Sequence, residues 1–106
     1  MNMQKMMKQV QKMQADMARI QEELETKTVE ATAGGGMVSV TANGHADILN
    51  ISIDPEAVDP DDVEMLEDMV LAAVNEAMRK AKDLSEQEMK KVTGGLNMPG
   101  MPPGLF

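Results

Sequence analysis

The sequence predicts an α+β fold: an N-terminal helix, a three-stranded antiparallel meander, a long C-terminal helix and a disordered tail. Three observations predict it. Apolar residues recur at helical spacing near both ends of the chain. Between them, three short runs alternate apolar and polar residues and are separated by glycine-rich turns. From Thr93 onward, glycine, proline and methionine replace both patterns.

The first helix is expected over residues 2–25. Met3, Met6, Val10, Met13, Met17, Ile20 and Leu24 follow alternating steps of three and four, the period of a coiled-coil seam. Such a stripe must lie against another helix, from the same chain or from a second copy. At about 100° per residue, Lys5, Lys8, Lys12 and Arg19 fall together on the side away from the seam.

The strands follow. Val29, Ala31 and Ala33 alternate with polar residues, as do Val38, Val40 and Ala42, and Gly34-Gly35-Gly36 forms the turn between them. Asn43-Gly44 predicts a tight type I′ hairpin. Ile48 to Ile53 gives the third strand, with Leu49, Ile51 and Ile53 on one face, and Asp54-Pro55 ends it. The apolar face of this meander needs a helix to cover it.

The second helix is expected over residues 60–90, with Asp59 as N-cap and Pro60 at its first position. Val63, Leu66, Met69, Val70, Ala73, Val74, Ala77 and Ala81 form its core stripe, and the alanines suggest close approach to a neighbour. Ser85 and Glu88 fit a capping box, so a kink or restart is expected between Asp83 and Glu88. Residues 1–92 therefore read as one domain, and 93–106 as a flexible tail rich in Gly, Pro and Met.

Composition removes whole classes of function. The chain has no cysteine, which excludes disulfides, thiolate metal sites and thiol nucleophiles. His45 is the sole histidine and follows a turn, so it reads as an exposed turn residue. The glycine triplet lacks the lysine and hydroxyl residue of a phosphate-binding loop. Asp54, Glu56, Asp59, Asp61, Asp62 and Glu64 lack the glycine and ligand spacing of a calcium loop, and cap helices instead. No metal, cofactor, small-molecule substrate or enzymatic activity is expected. No apolar run reaches membrane-spanning length and no signal-peptide pattern is present, so the expected compartment is the cytoplasm.

The formal charge of −8 opposes a polyanionic partner until its distribution is considered. Residues 54–76 hold nine acids and no base, whereas Met1 to Ala15 hold three lysines and no acid. Residues alone leave the lysine stripe open as either a solvated face or a binding surface. With Phe106 the only aromatic, base-stacking platforms for single strands are excluded.

Met7–Gln14, followed by Gln21-Glu22-Glu23-Leu24, resembles the first helix of the YbaB/EbfC family of bacterial nucleoid-associated proteins. The resemblance continues through Gly34–Gly44, Ile53-Asp54-Pro55, Glu64–Ala77 and Thr93–Leu96 with Pro99-Gly100, nearly the whole chain in order. It implies a homodimer with protruding helices that binds duplex DNA in the nucleoid and affects DNA organisation, transcription or repair. Family members are commonly encoded beside a DNA polymerase subunit and a recombination protein, which implies replication or recombination proteins as further partners. Lys8 and Lys12, with Lys5 nearby, match the family's basic positions on the first helix, and Arg79 and Lys80 those on the second. The expected DNA-binding set is Lys5, Lys8, Lys12, Arg19, Arg79, Lys80 and Lys82; the expected packing or dimer seam is Met6, Val10, Met13, Met17, Ile20 and Leu24. A protein–protein adaptor with weak or incidental DNA binding is the alternative.

Overall fold

The computed structural model describes residues 2–94, in the order α1 (Met3–Thr26), β1 (Thr28–Ala33), β2 (Val38–Asn43), β3 (Ile48–Ile53), a short 3-10 turn (Pro55–Ala57) and α2 (Val63–Gly94). The strands form one antiparallel sheet in the order β1-β2-β3. Of the expected tail, 93–106, Thr93 and Gly94 continue α2, and residues 95–106 lie outside the described residues. Among the described residues, no helix is long and apolar enough to cross a membrane.

α1 begins where the Asn2 side chain accepts a hydrogen bond from the Gln4 amide at 3.1 Å, satisfying one of the free N–H groups of the first turn. It ends at Thr26, whose hydroxyl donates to the Glu23 carbonyl, and Thr28 and Val29 lead into extended backbone.

α2 lies over β1 and β2. Ala31, Val38, Val40 and Ala42 of the sheet and Ala73, Ala77 and Ala81 of the helix are each at most 1% exposed. Three alanines one helical turn apart present no side chain beyond Cβ, so the helix axis settles close to the sheet. Leu66, Met69, Val70 and Val74 close the sides of this core. A second cluster joins the helices: Ile20 and Leu24 of α1 are buried with Val92 of α2, flanked by Met13, Met17, Leu84 and Met89. Burial of Leu24 alone is worth about 2–3 kcal/mol. The lower half of the predicted seam therefore packs within the chain, while Met3, Met6 and Val10 stay exposed.

Five expectations need correction. The helix covers only part of the meander: Ile48, Ile51 and Ile53 are 37%, 44% and 39% exposed, because α2 sits over β1 and β2 and stops short of β3. Leu49 also falls outside the regular pairing of that strand. A bulge between Thr41 and Ala42 pairs Ala42 with Ile48 and Thr41 with Asn50, which leaves Leu49 as the extra residue.

The Asn43-Gly44 turn is not a two-residue type I′ hairpin. The loop spans Gly44 to Asp47, and its positive φ falls on Ala46 (63°). Asn43 organises it: its Oδ1 accepts from the amides of His45 and Asp47, both at 3.0 Å. Gly44 is required for proximity instead. Its amide donates to the Leu24 carbonyl at 2.8 Å, and a Cβ there would lie 2.9 Å from that oxygen.

α2 starts at Val63, not residue 60, because the Asp59 side chain binds the Asp61 amide in a separate turn and Asp62 supplies the cap, accepting from Met65 N. The helix then runs unbroken to Gly94, without the restart at Ser85. Glu88 does not turn back to cap; it bonds Lys27 at 2.8 Å and Lys91 at 3.1 Å. By contrast, Gly34, Gly35 and Gly36 form the expected turn, all at positive φ (63°, 67° and 93°).

Candidate nucleic-acid interface

The seven cations expected to meet DNA divide by how each charge is used. Lys5, Lys8 and Lys12 stand exposed on α1 and Lys82 on α2, and none has an ion-pair partner among the described residues. α1 presents the three lysines on one side because its other side carries the seam, whose lower half is pinned against α2.

The remaining three are engaged. Arg19 lies 3.6 Å from Asp16 and 3.8 Å from Glu23, loose pairs on an exposed surface. Arg79 is held on both sides: Nε and Nη2 donate to Glu76, and Nη1 donates to Asp83 at 3.1 Å. These contacts hold the Glu76 carboxyl below its usual range and raise the guanidinium further. Lys80 donates to the Glu30 carbonyl of β1 at 2.8 Å and so ties helix to sheet.

Two hollows gather these groups. One, of about 340 Å³, lies where α1 meets the end of α2 and is lined by Gln9, Lys12, Met13, Asp16, Arg19, Lys91 and Val92. It brings Lys91, which sequence reasoning missed, beside Lys12 and Arg19. Lys91 flanks the buried stripe, one position before Val92 and about 100° from it around the helix, and its nearness to α1 depends on tertiary packing. The other places Arg79 and Lys82 beside His45, Ser85 and Glu86. His45 is exposed as expected, and it also crosses to α1, donating through Nε2 to the Gln21 carbonyl at 2.8 Å.

The base of α1 is anchored by a buried carboxylate. Glu88 is 5% exposed and receives Lys27 and Lys91. Their hydrogen bonds hold its carboxyl below the usual range despite its burial, and the same contact raises Lys27. Asn43, the other buried polar side chain among the described residues, donates to the Glu25 carbonyl at 3.4 Å and to Asp47. These contacts and the Gly44 amide tie the C-terminal end of α1 to α2 and to the end of β2.

Among the described residues, no group of three His, Asp or Glu side chains is arranged to hold a metal ion. Asp54, Asp59 and Asp62 each accept a backbone N–H within the turns that lead to α2. The arrangement offers an exposed cationic helix face.

Comparison with known proteins agrees with this geometry. A family model described as the YbaB/EbfC DNA-binding family matches residues 1–96. A nucleoid-associated protein of Pelotomaculum thermopropionicum is 65% identical over 100 residues, covering 94% of this chain and 95% of that protein. One of Acetivibrio thermocellus is 61% identical over 105 residues, covering 99% and 90%. The crystal structure of an uncharacterized protein from Helicobacter pylori has the same fold, with a TM-score of 0.69 at 21% identity, covering 91% of this chain and 97% of that one.

Proposed function

This chain belongs to the YbaB/EbfC DNA-binding family, and on that premise we propose that it is a nucleoid-associated homodimer that grips duplex DNA through its phosphates. The observation that carries the reading is the set of unpaired lysines on one side of a projecting helix, Lys5, Lys8 and Lys12. Lysine neutralises phosphate as a point charge and reads little of the base edges, so selectivity between sequences is low and any preference comes from groove shape. Lys82 adds a free charge on α2. Arg19, Arg79 and Lys80 contribute by exchanging or sharing their present partners, and so count for less.

Dimerisation is supported by the face that α2 leaves open. Ile53 of β3 and Leu66, Val70, Leu71 and Val74 of α2 line an apolar groove, next to exposed Ile48 and Ile51. A two-fold axis sets this patch against itself and doubles the cationic helices. The protein works in the cytoplasm, on the nucleoid, without cofactor or catalysis, and influences nucleoid organisation, gene expression or DNA repair, alongside replication or recombination proteins.

A second reading, a protein–protein adaptor, is favoured by the net charge of −8. Replacing Lys5, Lys8 and Lys12 together by glutamate separates the two. Lost duplex binding with an intact dimer supports the phosphate grip; unchanged binding refutes it and leaves the adaptor.

A further inference from the structure

α1 overshoots α2. Val92, close to the end of α2, shares a hollow with Gln9, Lys12 and Met13, so α2 finishes level with the middle of α1. From Met13 back to Met3, α1 continues for about 15 Å at helical rise. Along this stretch Met3, Met6, Met7 and Val10 are 74%, 51%, 60% and 52% exposed. They form a shallow apolar groove lined, among the described residues, by α1 alone. Four large apolar side chains in one exposed stripe mark a contact surface, and the upper half of the seam is otherwise unused.

Two facts select the occupant. The chain leaves α2 at Gly94, at the foot of this stripe, with residues 95–106 still to follow. Twelve residues at the polyproline rise of 3.1 Å reach up to about 37 Å, more than twice the stripe's length. Their composition also fits: Leu96, Met98, Met101, Leu105 and Phe106 are apolar, and no residue from 95 to 106 is charged. No side chain in this segment carries a charge, so none loses ionic solvation on an apolar surface or is drawn to Lys5 and Lys8 on the other side. Its tether gives it an effective concentration of order millimolar, so it outcompetes a second copy present at micromolar levels.

We propose that residues 96–106 of the same chain lie along Met3, Met6, Met7 and Val10, completing the seam of α1 beyond the end of α2. Methionine on both sides suits such a contact, because its unbranched thioether adapts to irregular surfaces. The inference does not rest on the DNA-binding reading, since the lysine side of α1 stays open either way.

The chain has no cysteine, so a pair can be introduced without background. Met6→Cys is combined with Met101→Cys, and Gln4→Cys with Met101→Cys serves as control, Gln4 lying about 160° around the helix from Met6. Under mild oxidation the first pair is expected to close within a single chain at least tenfold faster than the control, at a rate independent of protein concentration. Equal rates for the two pairs overturn the proposal. So do cross-links between chains, which assign the stripe to another copy.

Discussion

Replacing Lys5, Lys8 and Lys12 by glutamine gives a quantitative test of the phosphate grip. Four cations per subunit, Lys5, Lys8, Lys12 and Lys82, have no ion-pair partner among the described residues, so a dimer carries about eight. With about 0.9 counterion released per neutralised phosphate, the logarithm of affinity should fall against the logarithm of salt with a slope near −7. Between 50 and 200 mM salt that slope amounts to a loss of about 10⁴-fold. The triple variant keeps only Lys82 in each subunit, so its slope should flatten to about −2 and its loss over the same range to about tenfold. Arg79→Gln serves as the internal comparison. Glu76 and Asp83 already neutralise Arg79, so its removal should change the slope by less than about one. The assay is fluorescence anisotropy on a labelled duplex across a salt series, with dimer mass verified at each salt. An unchanged slope in the triple variant, or an equal flattening in Arg79→Gln, refutes the assignment of the grip to the unpaired lysines.

Three further outcomes follow from the same structure. Ile53→Lys with Leu71→Lys places charges in the apolar groove beside β3; sedimentation should then give the mass of one 11.5 kDa chain with helix content retained, and a persisting dimer would place the interface elsewhere. Gly44→Ala drives a Cβ to 2.5 Å from Leu24 Cδ2 and 2.9 Å from its carbonyl oxygen, costing about 1–3 kcal/mol in denaturant unfolding. Leu24→Ala should not rescue it, since the Leu24 Cβ and carbonyl remain at 2.8 and 2.9 Å. The third outcome concerns acid. The folded-state pKa of Glu88 is depressed, so its stabilisation is complete above the unfolded value near 4.5 and is lost as pH falls through the lower folded value. Glu88→Gln should flatten the stability curve in that acidic window, and an acid limb identical to that of the parent protein would show that the Lys27–Glu88–Lys91 contact contributes nothing to it.

The elements were legible because local pattern and tertiary demand agree in them. Val38, Val40 and Ala42 alternate, and all three are buried; Ala73, Ala77 and Ala81 recur at helical spacing, and all three touch the sheet. Legibility failed where a residue answers to something distant in sequence. Gly44 reads as a turn glycine from its neighbours, yet its requirement comes from Leu24, twenty positions earlier. Glu88 completes a capping-box pattern with Ser85, but it is claimed by Lys27, sixty-one positions away. Among the cations, the pattern identified exposed faces correctly and could not rank them. The partners of Arg79, at three and four residues' distance, were visible in the sequence as helix neighbours. That Lys80 bends to the Glu30 carbonyl instead of remaining free depends on how α2 crosses β1.

The methionine seam shows why periodicity specifies that a helix has a partner and not which one. A step of three and four residues is satisfied equally by a neighbour in the same chain and by one from another copy. The fold divides the stripe. Met13, Met17, Ile20 and Leu24 meet α2 inside the subunit, where the connection through the sheet brings the two helices side by side. Met3, Met6 and Val10 continue the same period past the end of α2 and meet nothing described. Because the period does not change at that boundary, the same kind of apolar contact is called for on both sides of it. A globular domain would close such a stripe with its own core; here α1 projects instead, so that the lysines on its opposite side stand clear of the acidic residues clustered before and along the first half of α2. An apolar stripe left open at the tip, among the described residues, is the consequence of that projection.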